Sequence, residues 1–193
     1  MNSEAGQYHT YSKYQVSKIG NTIIYLARKI KSPAKTTILK LLYILDEKSI
    51  EKSGLPFLNL EYKVWKFGPV SQDIFVELSD KPTFLKGYFT RDETTIEGNI
   101  IPEKEFCDDE FSQNDLDLLD SVIAEFGNKT SKYLVEYTHK EGSLWHIAAK
   151  KHDVLDLLQN EKINTTDFKI DFSELLLHDK KKKGIYEEFL EHN

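Results

Sequence analysis

The stretch TTILKLLYILDEKSIEKSGLP, Thr36 to Pro56, decides how the rest of the chain is read. Ile38, Leu41, Leu42 and Leu45 recur at three- and four-residue spacing, which predicts a helix with one buried stripe. Gly54 supplies the left-handed residue that commonly ends a helix, and Pro56 cannot continue one. Thr36 or Thr37 is the expected cap, preferred over a start at Ser32 with Pro33 in the first helical position.

The helical period extends upstream. Ser12 and Gln15 form an S-x-x-Q capping box, and Val16, Ile19, Ile23, Leu26, Ala27 and Ile30 follow at helical spacing until Ser32-Pro33. Residues 1–11 are polar and expected to be flexible. Downstream, Leu60 to Lys66 reads as a short extended segment leading into Phe67-Gly68-Pro69-Val70, and Pro69 is expected to open a third helix through Leu78. Between residues 84 and 101 the pattern becomes β-rich in two arms joined at Asp92-Glu93, which predicts a small antiparallel hairpin packed on the helices. Ser112 and Asp115 cap a helix closed by Gly127, Thr130 opens another through His139, and Ser143 caps the next. Beyond Lys151 the pattern weakens to short helical pieces around Leu155–Leu158, Phe168–Phe172 and Leu175–Leu177, with Lys180 to Lys183 interrupting the last. The expectation is an α+β fold, predominantly α: one compact helical domain over residues 12–160 with a hairpin at about 84–101, and a C-terminal helical extension, 161–193, packed on it.

A chain of 193 residues with 39% hydrophobic and 12% aromatic content can bury a core without disulfides or metal. No apolar run approaches the ~20 residues of a membrane span, and the first residues lack a basic segment followed by an apolar one, so a cytoplasmic protein is expected. The single cysteine, Cys107, precedes Asp108, Asp109 and Glu110, a setting that disfavours a thiolate. Charge is uneven. Residues 1–40 carry six Lys and one Arg against Glu4, whereas residues 101–128 carry nine carboxylates against Lys104. Such asymmetry serves solubility or a charge-complementary protein partner. Arg28 and Arg91 are the only arginines, which weakens a nucleic-acid reading.

Phosphate-binding loops, dinucleotide fingerprints, zinc-protease helices and nucleophile elbows are all missing from the sequence. Thr138-His139-Lys140-Glu141-Gly142-Ser143-Leu144-Trp145-His146 gathers two histidines and a carboxylate, but Gly142 breaks the helix between His139 and His146, so no metal pair forms on one face. His139 and Glu141 stand too close in sequence to face each other across a cleft unaided. The structural alternative has His139 bonding the last carbonyls of its helix, Gly142 turning the chain and Trp145 filling the core. Trp65-Lys66-Phe67-Gly68-Pro69-Val70 reads either as a turn with Trp65 buried or as an aromatic anchor for a partner.

Taken in order, Lys40-Leu41-Leu42-Tyr43, Trp65 to Val70, Phe126-Gly127 and Thr138-His139 through Trp145 resemble the Panacea antitoxin domain, also called SocA-like, from about Val16 to His152. Trp145-His146 stands where that motif carries a doubled tryptophan. The resemblance implies a mostly helical, bacterial or phage-borne antitoxin of a type II toxin-antitoxin pair, with no catalytic activity and no cofactor or metal. Its partner would be a cognate toxin protein encoded next to it. The alternatives are delivery of a partner to a protease, or binding of operator DNA as a regulator of its own operon. Lys40, Tyr43, Trp65, Lys66, Phe67, His139, Glu141 and Trp145 are the expected partner-binding residues.

Overall fold

The computed structural model describes residues 11–79, 81–94 and 98–192. Helix α1 (Lys13–Lys29) starts at the expected capping box, with Gln15 N–H donating to Ser12 Oγ at 3.2 Å and Ser12 N–H to Gln15 Oε1 at 2.9 Å. Residues 1–10 of the expected flexible terminus lie outside the described residues. Tyr11 is docked, its ring 5.0 Å from that of Phe84.

Helix α2 (Lys35–Ser53) is the axis of the molecule, and two expectations about it are corrected. It starts earlier than Thr36 or Thr37, behind Ala34, without a side-chain cap. Pro33 and Ala34 are held instead by strand-like contacts, Ile100 N–H donating to Pro33 O at 2.9 Å, and Thr37 Oγ1 bonds Ser131 Oγ at 2.9 Å. Nor is it a one-striped helix: Thr37 through Asp46 are all buried, as expected of a helix with packed elements on every side. Its two buried ionic groups point into polar niches. Asp46 accepts from the Leu58 and Asn59 amides at 2.6 and 3.2 Å and from Tyr62 Oη at 2.8 Å, folding the following loop against the helix. Burial raises its pKa against the lowering effect of these donors. Gly54 ends α2 at φ 81°, where a side chain would be strained and its Cβ would lie 2.6 Å from Lys182 O.

Two three-residue strands follow, β1 (Lys63–Trp65) and β2 (Gly68–Val70), paired antiparallel with Trp65 opposite Gly68. Pro69 therefore lies in a strand and does not open a helix; helix α3 (Gln72–Ser79) begins after it. Proline fits because its partner Val64 turns its N–H away from β2, to Phe168 O at 2.9 Å, so position 69 lacks nothing by having no donor. The far edge of β1 is occupied by residues from the C-terminal part: Lys66 N–H donates to Asn164 O at 2.8 Å and Ile170 N–H to Tyr62 O at 2.8 Å. Phe168 and Ile170 are thus extended along β1, not helical.

The hairpin expected near residues 84–101 is present as β3 (Phe89–Arg91) and β4 (Ile100–Pro102), with Arg91 opposite Ile100. Its connection is longer than Asp92-Glu93, and residues 95–97 of the expected second arm lie outside the described residues. Helix α4 (Gln113–Phe126) starts at the Ser112–Asp115 box; Gly127 ends it in a right-handed conformation, packed 2.9 Å from Ile30 when given a Cβ. Helices α5 (Ser131–His139) and α6 (Leu144–Lys151) start at Thr130 and Ser143 as expected, followed by α7 (Leu155–Gln159) and a 3₁₀ turn, Phe172–Leu176.

Helix α8 (Lys180–His192) opens with the lysine run that was expected to interrupt it. Asp179 makes this tolerable: its Oδ1 accepts the Lys182 N–H at 3.0 Å, while Lys182 Nζ reaches Glu51 O at 2.8 Å and covers the end of α2. The basic and acidic segments meet each other, largely at the surface. Lys18 pairs with Asp115 at 3.5 Å, Arg28 with Glu105 at 2.6 Å, and Tyr25 Oη donates to Asp120 at 2.6 Å. The described residues thus form eight α-helices with two small antiparallel strand pairs, 55% helical, an α+β fold that is predominantly α. No helix among them is long and apolar enough to cross a membrane.

Candidate functional site

A two-residue turn, Lys66-Phe67, joins β1 to β2, and Gly68 follows at φ 98°, a conformation costly for any residue with a Cβ. Four side chains from elsewhere in the chain contact carbonyls of this hairpin. Thr166 Oγ1 donates to Val64 O at 2.7 Å, Trp145 Nε1 to Trp65 O at 2.8 Å and Lys40 Nζ to Pro69 O at 2.8 Å, and His139 Nε2 lies 2.9 Å from Lys66 O. They come from the segment before residue 170, α6, α2 and α5, so the turn is held from every packed side. A buried carbonyl left without its donor costs about 1–3 kcal/mol, which makes each contact a constraint on hairpin position.

Lys40 is 1% exposed, and burial lowers its pKa to about 7. Thr138 packs beside it: a Cβ on Gly68 would lie 2.8 Å from Thr138 Oγ1 and 3.0 Å from Lys40 Nζ, so the turn approaches as closely as glycine permits. His139 stands between two carbonyls, Lys66 O and, at 2.6 Å, Val135 O. Both are satisfied only when both ring nitrogens carry protons. Burial outweighs their effect and lowers the His139 pKa, with Lys40 acting in the same direction. Its ring lies edge-on to Trp145, 3.9 Å between centroids.

What this framework presents is Phe67. It is 60% exposed at the tip of the turn, with Lys66 Nζ 4.9 Å from its ring and Lys66 paired to Glu161 at 3.0 Å. Beside it opens a groove of about 460 Å³. Trp65 and Phe75, ring centroids 5.1 Å apart, line it, and Lys35 stands 4.3 Å over the Phe75 ring.

Of the eight residues expected to bind a partner, the structure gathers Lys40, Trp65, Lys66, Phe67, His139 and Trp145 around one hairpin. Their positions differ: Phe67 is at the surface, Trp65 and Lys66 border it, and Lys40, His139 and Trp145 lie beneath. Trp145, 2% exposed, presents no surface to a partner. Tyr43, 1% exposed, lies away from the hairpin turn, edge-on to Tyr62 and stacked on Phe172, with its Oη donating to Glu47 at 2.8 Å. Glu141 is exposed in the α5–α6 turn, outside the network. Thr166, Thr138 and Phe75 are the additions. Phe75, beside the buried Ile74 on α3, could have been found as an aromatic at the edge of an apolar face; Thr166 meets its carbonyl across 102 positions and has no local signal.

Residues 38–146 match the family described as antitoxin SocA-like, Panacea domain. The chain belongs to that family. The match starts two residues before Lys40 and ends one after Trp145, so the Panacea region contains the hairpin and three of its four side-chain contacts, while Thr166 lies beyond it. Comparison with curated proteins and with solved structures finds no match.

Proposed function

We propose that this Panacea-family chain is the antitoxin of a type II pair, acting in the cytoplasm by binding and masking a toxin protein encoded next to it. The observation that carries the reading is Phe67, exposed on a turn whose backbone is fixed by buried side chains from several elements. A rigid aromatic at a surface binds with little loss of conformational freedom, which is what an affinity anchor requires. The site arranges hydrogen bonds to backbone carbonyls and an apolar groove, a geometry suited to binding and not to bond making. Operator binding through residues 1–40 is less favoured, because Lys18 and Arg28 are engaged by Asp115 and Glu105.

Co-expression with the adjacent reading frame tests this, scoring growth and co-purification together. A neighbour that is toxic alone, harmless with this chain and eluted with it is the expected result. Rescue without a complex would favour delivery to a protease or repression, and a harmless neighbour would remove the antitoxin reading.

A further inference from the structure

The groove beside the hairpin combines aromatic walls with one sign of charge. Trp65, Phe67 and Phe75 line it with Leu39 and Val70, and its volume of about 460 Å³ falls in the range that accepts small ligand groups. Lys35 and Lys40 also line it, and none of its described lining residues is Asp or Glu. Lys40 has one hydrogen bond, to Pro69 O, and none of the ion pairs among the described residues includes it; Lys35 Nζ donates to Ser79 Oγ at 3.1 Å. A cationic side chain entering this groove would meet Lys35, and would disfavour the protonated form of Lys40, in an apolar setting where charge is poorly screened. An apolar side chain gains burial on the rings, and a neighbouring carboxylate gains from Lys35 and favours the protonated form of Lys40.

Resting on the reading that this chain binds a partner protein, we propose that the groove receives an acidic, apolar segment of that partner. Its aromatic or branched aliphatic side chain lies among Trp65, Phe67 and Phe75, and a Glu or Asp beside it meets Lys35 over the potential of buried Lys40. Phe67 then closes the rim of the site while contacting the partner itself, so anchor and groove act as one interface.

Two measurements test this on the full chain. In the first, 3-phenylpropionate and its uncharged amide are titrated while the Trp65 indole N–H resonance is followed. The acid should bind about fivefold or more tightly than the amide, and Lys35→Glu should abolish the preference. Binding of neither probe, or equal binding of both, overturns the proposed chemistry. In the second, Thr36→Trp and Thr165→Trp each fill the groove from a different segment, and the variant that melts within about 2 °C of the parent is assayed for the complex with the neighbouring gene product. A loss of about tenfold or more in affinity is expected. An unchanged complex overturns this inference and leaves the antitoxin reading standing; absence of a complex with the parent chain overturns both.

Discussion

The two strand pairs have ladders of equal length, three residue pairs each, and are tied to the rest of the chain differently. The β3–β4 pair is secured by burial, with Phe89 and Ile100 each 1% exposed against α1, by a backbone bond from Ile100 to Pro33 and by Arg91 Nη1 donating to Ser79 O at 3.0 Å. The β1–β2 pair is also secured by directional contacts from Lys40, His139, Trp145 and Thr166 to its carbonyls. Burial and a few bonds fix where a hairpin sits; side chains from several elements bonded to its carbonyls also fix the turn that projects from it. The difference gives Lys40, His139 and Trp145 a structural role, as supports of the turn that carries Phe67.

The largest effect should come from Trp145→Ala, which removes a buried ring and the donor to Trp65 O. It is expected to cost about 3–5 kcal/mol in denaturant unfolding, and to speed exchange of the Val64 and Lys66 amides. Phe89→Ala in the other hairpin should cost a similar amount and leave those amides protected.

Lys40→Met should show the next effect, with a pH signature. The folded chain loses the Lys40 proton near pH 7, from a model value of 10.5. Below about 7 the amine is charged in both states; between about 7 and 10.5 the unfolded chain binds more protons, so Lys40 makes stability rise with pH across that window. The methionine variant lacks this gain. Its stability deficit relative to the parent should therefore widen from pH 7 to pH 10, on the order of 1 kcal/mol per pH unit, in paired denaturation curves.

Thr166→Val should have the smallest effect, about 1 kcal/mol for one hydrogen bond, with faster exchange confined to the Val64 side of the hairpin.

The sequence carried the local parts of this structure well. Ser12, Ser112, Thr130 and Ser143 announce helix starts because a cap is made within three residues, and Gly54 announces an end for the same reason. The lysine run at 180–183 misleads because the groups that make it helical are Asp179 and the distant carbonyl of Glu51. Pro69 misleads because its strand depends on Val64 bonding to Phe168, more than 100 positions away. At the candidate site the ordered motif named residues that the structure gathers around one hairpin. It could not separate the aromatic that is displayed, Phe67, from those that are buried, Tyr43 and Trp145, since that depends on which elements pack over each ring. The charge asymmetry was legible as composition, but not that Lys18 and Arg28 of α1 pair with Asp115 and Glu105 of the acidic segment.

The most direct test compares the two exposed apolar residues of the two hairpins, Phe67 at 60% and Ile101 at 46% exposure. Calorimetric titration of Phe67→Ala and Ile101→Ala with the neighbouring gene product, both variants melting like the parent, should show at least about a tenfold loss for Phe67→Ala and no change for Ile101→Ala. Equal losses, or a loss confined to Ile101→Ala, would contradict the assignment of the clamped hairpin as the binding site.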